Sequence, residues 1–360
     1  GNRGNALRAL RRFEEALASY YQAIAMKPDY AEAYWNKSLA CLRMGDFAQG
    51  WALYESRWQW EEFVVNNARP DLLLPRWSGV EPLAGKTILL HSEQGLGDTL
   101  QFVRYVDQVL ALGADVLLEV PKPLLELFKA FSGRVRLLAK GDALPAHDFH
   151  CPLLSLPLAF KTRLDTIPKA NAYLASDPEK RGAWVARLGE KTGPRIGLAW
   201  SGNPQHKNDH NRSLLLSQLL PGLPSGGEYI SLQKEVRAAD KAALEASGIR
   251  HFGDELKDFA DTAALCDLMD VVISVDTSVA HLAAALGRPT WILLPYVPDW
   301  RWLLEREDST WYPTTRLYRQ PASGDWASVL ARVHDDLLSL QARTPPLAKE
   351  KEPVLRIITV

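Results

Sequence analysis

Cysteine is scarce in this sequence. Cys41, Cys151 and Cys266 are the three among 360 residues, widely spaced and odd in number. That excludes a disulfide framework or a thiolate zinc site and points to reduced, buried thiols in a cytoplasmic protein. An excess of charge of one sign is missing too. Lys and Arg total 42 against 43 Asp and Glu, a formal net charge of -1, so no global field draws the chain to nucleic acid or anionic lipid, and an anionic ligand has to be held locally. Long apolar runs are lacking as well. The most apolar region, 271–295, is interrupted by Asp276, His281, Gly287, Arg288 and Pro289, well short of the roughly 20 clean residues of a membrane span. The opening "GNRGNALRALRRFEEAL" is charged and helical in pattern, unlike a signal peptide. No Asp-x-Asp pair or His/Cys cluster is spaced for a metal, and His147 and His150 in "HDFH" read as loop residues, so neither metal nor resident cofactor is expected. With 47% hydrophobic and 24% charged residues, what remains is a globular protein of two or three domains.

The first 60 residues carry an internal repeat. Phe13 recurs as Phe47, Ala16 as Gly50 and Tyr20 as Tyr54, each 34 positions apart, and "KPDYAEAYW" marks the seam. Small residues where two helices approach and aromatics where they interlock resemble the tetratricopeptide repeat. About one and a half units are present, and since such repeats stack on neighbours, the array is expected to continue upstream; an ordinary helical hairpin is the plainer alternative. Trp51, Trp58 and Trp60 are expected to pack this segment onto the next domain.

From Gly85 the pattern becomes strand, helix, strand. "KTILLHS" reads as a strand, "GDTLQFVRYVDQVLALG" as a helix with Leu100, Val103, Val106 and Leu110 on one face, then "ADVLLEV" and "RVRLLA" as strands. "DFHCPLLSLPLAF" begins as a strand, and a proline-rich linker leads to a helix before Pro194. A second series comes after it with five apolar runs, "RIGLAWS", "YISLQ", "IRHFG", "VVISVD" and "TWILLP", and a closing helix in "DWASVLARVHDDLLSLQA". The fold class is therefore α/β: two Rossmann-like doubly wound domains facing across a cleft, behind an all-α repeat segment. Expected boundaries are 1–62 for the repeats, 63–190 and 191–342 for the two domains, and 343–360 for an unassigned tail.

The loop "EQGLGDTL" raises the question of function. A dinucleotide fingerprint needs a third glycine where Leu100 stands, although Glu119 lies about where a ribose-binding acid belongs. A structural βα corner is a second reading. The third is chemical: Asp98 stands at a helix start beyond the first strand, where open parallel sheets place ligands. There it either caps the helix or faces the cleft and accepts a proton from an attacking hydroxyl. The helix N-terminus is expected to lower its pKa, leaving proximity to supply most of its effect. Gln94, Gly95 and Gly97 shape the loop on the acceptor side.

"VVISVDTSVAHLAAALGRP" is the most informative stretch. A buried strand ends at Asp276, Thr277 and Ser278 come next as cap residues, and His281 lies one turn later. Hydroxyls and free N–H groups there suit a phosphate, with His281 adding a proton or hydrogen bond; capping and a core histidine are the bland alternative. "AWSGNPQHKNDHNRS" supplies Ser201, Asn203, Lys207 and Arg212 from a loop at the same sheet edge, with the cations placed to neutralise a diphosphate. Gln233, ending "YISLQ", is a further candidate contact to a nucleotide, while Trp300 and Trp302 in "PDWRW" read as packing.

"EQGLGD" and "DTSVAHLAAALGRP" resemble the heptosyltransferase-like glycosyltransferases of family 9, over roughly Lys86 to Leu340. The resemblance implies the GT-B architecture, a nucleotide-sugar cosubstrate, Asp98 as base and Asp276, Thr277 and His281 at the donor phosphates, with Lys207 a looser match to a phosphate-binding lysine. Repeats in front of a GT-B fold are also the arrangement of family 41 protein O-glycosyltransferases and of bacterial flagellin-modifying glycosyltransferases, which implies a protein acceptor delivered by the repeats. The expected function is metal-independent transfer of a sugar to a protein Ser or Thr hydroxyl. Transfer to lipid or polysaccharide, or a non-catalytic interaction protein keeping the fold, are the alternatives.

Overall fold

A computed structural model describes residues 1–67, 69 and 71–343; the tail expected beyond Arg343 lies outside them. The chain opens with four helices, α1 (Asn2–Ala9), α2 (Phe13–Met26), α3 (Ala31–Arg43) and α4 (Phe47–Tyr54), then α5 (Glu61–Asn67). The repeated positions are buried: Ala16, Tyr20, Phe47 and Tyr54 are almost wholly excluded from solvent. Gly50 is small of necessity, because a Cβ there would stand 2.6 Å from Leu42.

The first sheet is built from β1 (Thr87–His91), β2 (Asp115–Val120), β3 (Arg136–Ala139) and β4 (Phe149–Pro152), all parallel in the order β3-β2-β1-β4. The helix expected between its first two strands divides into α6 (Leu96–Phe102) and α7 (Val106–Ala111), joined by a tighter turn at Val103–Tyr105. α8 (Leu125–Phe128), α9 (Leu156–Ala159) and α10 (Pro178–Leu188) complete this half of the chain. The start of α10 is fixed by Asp177, whose carboxylate accepts the N–H groups of Glu179 and Lys180, with Pro178 in the first turn.

The second sheet contains β5 (Arg195–Ala199), α11 (Asp209–Arg212), α12 (Leu216–Leu219), β6 (Glu228–Ser231), α13 (Lys241–Ser247), β7 (Arg250–His251), α14 (Phe259–Cys266), β8 (Val271–Val275), α15 (Ser278–Ala285), β9 (Thr290–Leu294), β10 (Thr315–Arg319) and α16 (Trp326–Arg343). Its strands run parallel in the order β10-β9-β8-β5-β6-β7. β5 and β8 are buried along their whole length, as central strands covered on both faces must be. The sheet has six strands, one more than the apolar runs announce: β10, "TRLYR", has arginines on both sides of Leu317 and Tyr318 and lacks a continuous apolar run. Helix α10, which precedes the expected boundary at 190, packs against the second sheet's side, with Trp184 5.3 Å from Phe252 and Lys180 bonded to Asp261.

Of the three tryptophans expected to dock the repeats, two do so. Trp51 packs edge-on against Trp300 at 5.1 Å and against Phe102. Trp58 packs edge-on against Phe63 of α5 and lies under the Arg76 guanidinium, 5.7 Å from its ring centre, whereas Trp60 stays with the helical segment, against Trp35 of α3. Trp300 and Trp302 are buried packing residues as expected.

Candidate functional site

In each sheet the chain reverses its direction of travel beside its first strand. In the second sheet β5 lies between β6 and β8, and in the first β1 lies between β2 and β4. Such switch points leave a crevice at the carboxyl ends of the strands. The two crevices face one cleft of about 1960 Å³, lined by Gln94 to Asp98 from the first half and by Ser201 to Asn208, His210 to Arg212, Gln233, Asp276 to Ser278, His281, Asp299 and Arg301 from the second.

The glycine loop answers its own question by packing. A Cβ on Gly97 would stand 2.9 Å from His281 Cδ2 and 3.6 Å from Ser278 Cα, so this glycine lets the first turn of α6 lie against the first turn of α15. Gln94 enters the loop with φ of +60°, held by its Nε2 donating to Tyr54 Oη at 2.9 Å. The dinucleotide reading finds no support: Leu100 is fully buried, and Glu119 is buried and paired with Arg69.

Asp98 both caps and faces the cleft. One carboxylate oxygen accepts the Gly95 N–H at 2.8 Å; the other accepts from Arg301 Nη2. Sequence reasoning expects a lowered pKa, and the structure reverses the sign. Burial raises the carboxyl's pKa, outweighing the opposing pull of Arg301 and of the Gly95 N–H. Arg301 is itself buried and donates to Asp299 at 2.8 Å and to Gln101; burial lowers its pKa, but the Asp299 and Asp98 carboxylates outweigh that and raise it. Arg301 and Asp299 sit between the tryptophans of "PDWRW", where the pattern signals packing; no spacing rule links them to a loop about 200 residues earlier.

At the end of β8, Thr277 takes the N-cap position of α15, but its hydroxyl turns to Ser274 Oγ at 3.2 Å and caps nothing. Thr277 and Ser278 therefore do not act as side-chain caps, and the first N–H groups of α15 are left to the cleft, as an anion site requires. The Asp276 carbonyl accepts from Arg212 Nη1 at 2.7 Å, tying the cationic loop to the strand end. Burial and the neighbouring Asp299 push the Asp276 carboxyl up to about 6. His281 is 5% exposed, its Nδ1 2.8 Å from Tyr312 Oη, its Nε2 3.8 Å from Asp276 and its ring stacked on Trp302. Burial beside cations pushes it down to about 3, so at neutral pH it is an uncharged imidazole, able to hydrogen-bond but not to serve as the proton donor the sequence suggests.

The remaining candidates are arranged unequally. Ser201 and Gln233 form one unit: Gln233 Oε1 accepts the Trp200 and Ser201 N–H groups at 2.8 and 2.9 Å, which makes Gln233 a brace for the loop at the cleft wall. Asn203 is exposed at the rim and accepts from Gln205 N. Lys207 is 84% exposed and its amine is bonded to Glu62 of α5, so it stands at the rim facing the repeats. Arg237, unmarked by any sequence pattern, is the better buttressed cation: it donates to the Gly202 carbonyl at 2.8 Å and pairs with Asp209. His150 lies on β4, not in a loop, with its Nδ1 3.1 Å from His91 Nε2. Among the described residues no group of three or more His, Cys, Asp or Glu is placed to hold a metal ion, and no helix is long and apolar enough to cross a membrane.

Comparison with known proteins places these features. A tetratricopeptide repeat model matches residues 4–45, and the model of glycosyltransferase family 9 (heptosyltransferase) matches residues 256–294. The protein FlbA of Caulobacter vibrioides is 30% identical over 92% of this chain, and the chain spans 60% of that relative's length. Among solved structures, the family 9 glycosyl transferase of Veillonella parvula is 12% identical, with a TM-score of 0.51 over 73% of this chain and 98% of that one. E. coli ADP-heptose LPS heptosyltransferase II is 14% identical, with a TM-score of 0.48 over 71% and 99%.

Proposed function

Because the chain joins a tetratricopeptide repeat to a glycosyltransferase family 9 domain on a heptosyltransferase-like fold, we propose that it transfers a sugar from a nucleotide-sugar donor to a Ser or Thr hydroxyl of a protein, without a metal. The observation that carries this reading is the convergence, across one cleft, of a half-buried carboxylate from one sheet and an uncapped helix N-terminus flanked by arginine from the other.

In this reading the donor diphosphate lies against the first turn of α15 and Arg212, which take up the charge that develops as the bond from the anomeric carbon to the phosphate oxygen breaks. Asp98 removes the proton of the acceptor hydroxyl as its oxygen bonds to the anomeric carbon. Burial suits it to that task, since a raised pKa makes a stronger base, and Arg301 keeps it ionised and aimed. His281, neutral, donates one hydrogen bond to the phosphates and braces Gly97. Gln233 holds the Ser201 loop in shape. Three free, buried cysteines are consistent with a cytoplasmic setting.

The test is a thermal-shift panel of ADP, UDP, GDP and CMP, then donor-turnover assays with the responding nucleotide sugar. A ligand that binds the native state alone raises apparent stability. The expected pattern is a shift from one nucleotide that Asp276→Ala and Arg212→Ala abolish, with Asp98→Asn keeping the shift and losing turnover by about 100-fold or more. Full turnover by Asp98→Asn refutes the assignment of the base.

A further inference from the structure

The cleft has one wall that the proposed reaction leaves unused. Asn5, Arg8 and Ala9 of α1 and Leu39 and Arg43 of α3 line it, with Tyr296 and Pro298 opposite. Both helices belong to the repeat segment, so that segment borders the cleft directly.

Arg43 is the unusual residue on this wall. It is 7% exposed. Its Nε donates to the Pro298 carbonyl at 2.8 Å, but its buried Nη1 has no hydrogen-bond partner. The carboxylate closest in influence, Asp299, is already bonded to Arg301. Burial and Arg8 push the Arg43 guanidinium down to about 10, the sign of a cation short of counter-charge. Arg8 is half-buried, donates to the neutral Asn36 side chain at 3.1 Å and enters no ion pair among the described residues. Arg11, near the same mouth, pairs with the exposed Glu305 and stacks over Tyr296. Glu32 is engaged by Tyr30 and Asn36. Two guanidinium groups thus face the repeat side of the cleft without a carboxylate partner among the described residues, and a buried donor left unmade costs more than a made bond contributes.

We propose that Arg43 and Arg8 form a subsite for an Asp or Glu side chain of the acceptor polypeptide, read as the acceptor passes from the repeat surface to Asp98. The proposal rests on the reading of a protein acceptor given above. Charge-assisted hydrogen bonds from Arg8 and from the part of the Arg43 guanidinium not spent on Pro298 would hold a carboxylate, which an extended chain presents at a fixed distance from the hydroxyl being modified. The acceptor sites are therefore Ser or Thr residues with an acid at one constant spacing.

The test uses the full chain and a degenerate peptide library with one fixed Ser, in the presence of the nucleotide found by thermal shift. Retained peptides are sequenced. Expected is enrichment of Asp and Glu by about threefold or more at one position relative to the Ser, the yield of a partly exposed ion pair, falling towards unity in Arg8→Gln, in Arg43→Gln and in high salt. Arg8→Gln, at a half-exposed site, keeps the test valid where Arg43→Gln disturbs folding. A pool with no acid preference, or a preference unchanged in Arg8→Gln, overturns the subsite. If the nucleotide shift persists in that case, the transferase reading survives; loss of the nucleotide shift in the unaltered protein is what would overturn that reading.

Discussion

Replacing Arg301 by Met tests the electrostatic frame of the site directly. The arginine is 8% exposed and serves two carboxylates, Asp98 and Asp299, whose side chains are 18% and 35% exposed. Removing one partner of a fully buried ion pair costs about 3–5 kcal/mol. Here each carboxylate keeps a backbone donor, Gly95 N–H for Asp98 and the N–H of residue 301 for Asp299, and both reach some solvent, so the expected loss is nearer 2–3 kcal/mol, discounted for screening. The sign of its pH dependence comes from the same charges. Without Arg301 the Asp98 carboxyl, already raised by burial, rises further in the folded state. A carboxyl whose folded pKa exceeds its unfolded value binds its proton more tightly when folded, so its contribution to stability is full below the unfolded pKa and is lost as pH rises through the folded one. The variant's deficit is therefore largest at pH 7.5 and shrinks towards pH 5. Urea denaturation of the unaltered protein and the variant at both pH values measures this. A deficit under about 1 kcal/mol at pH 7.5, or one that does not change with pH, would refute the assignment of Arg301 as the counter-ion.

Gly97→Ala inserts a methyl against a His281 ring that Tyr312 and Trp302 hold in place; a loss of about 1–3 kcal/mol and a weakened nucleotide shift are expected, and an unaltered thermal midpoint would contradict the close approach. His281, held neutral down to about 3, destabilises the fold as pH falls below its unfolded value, while Asp276, raised to about 6, has the opposite sign. Asp276→Asn should therefore steepen the loss of stability between pH 6 and 4 by up to about 1.4 kcal/mol per pH unit, and His281→Gln should flatten it, both read from urea midpoints. Lys207→Ala, at an exposed rim position, should weaken nucleotide affinity by less than about tenfold, whereas Arg212→Lys loses the fork that reaches the Asp276 carbonyl and should weaken it more; isothermal titration ranks the two.

Periodicity made much of this architecture legible. Phe13, Ala16 and Tyr20 with their counterparts 34 residues on mark helices that bury those positions, and apolar runs bounded by turns mark strands buried on both faces. Asp98 and the Asp276–His281 segment were legible because each comes directly after a strand, where the parallel sheet directs its loops. What escaped depends on partners remote in sequence. Arg301 and Asp299 acquire their meaning from Asp98, Tyr312 from His281 and Arg237 from Asp209; nothing local distinguishes them. For Asp98 the local pattern points to the wrong sign, because a helix terminus is visible in sequence whereas the desolvation that outweighs it arises from the packing of two halves of the chain.

The repeat segment touches both halves of the molecule at once. Trp51, Arg43 and Arg11 anchor it to Trp300, Pro298 and Glu305 of the second half, and Arg57 and Tyr54 anchor it to Glu93 and Gln94 of the first. Clefts between two α/β domains ordinarily open and shut about a hinge. Here a buried strap spans the jaws, and Gly97 against His281 acts as a fixed bearing between them. The helices are thus bonded to both lips of the cleft, so a widening of it would have to break contacts to Trp51, Arg43, Arg57 or Tyr54.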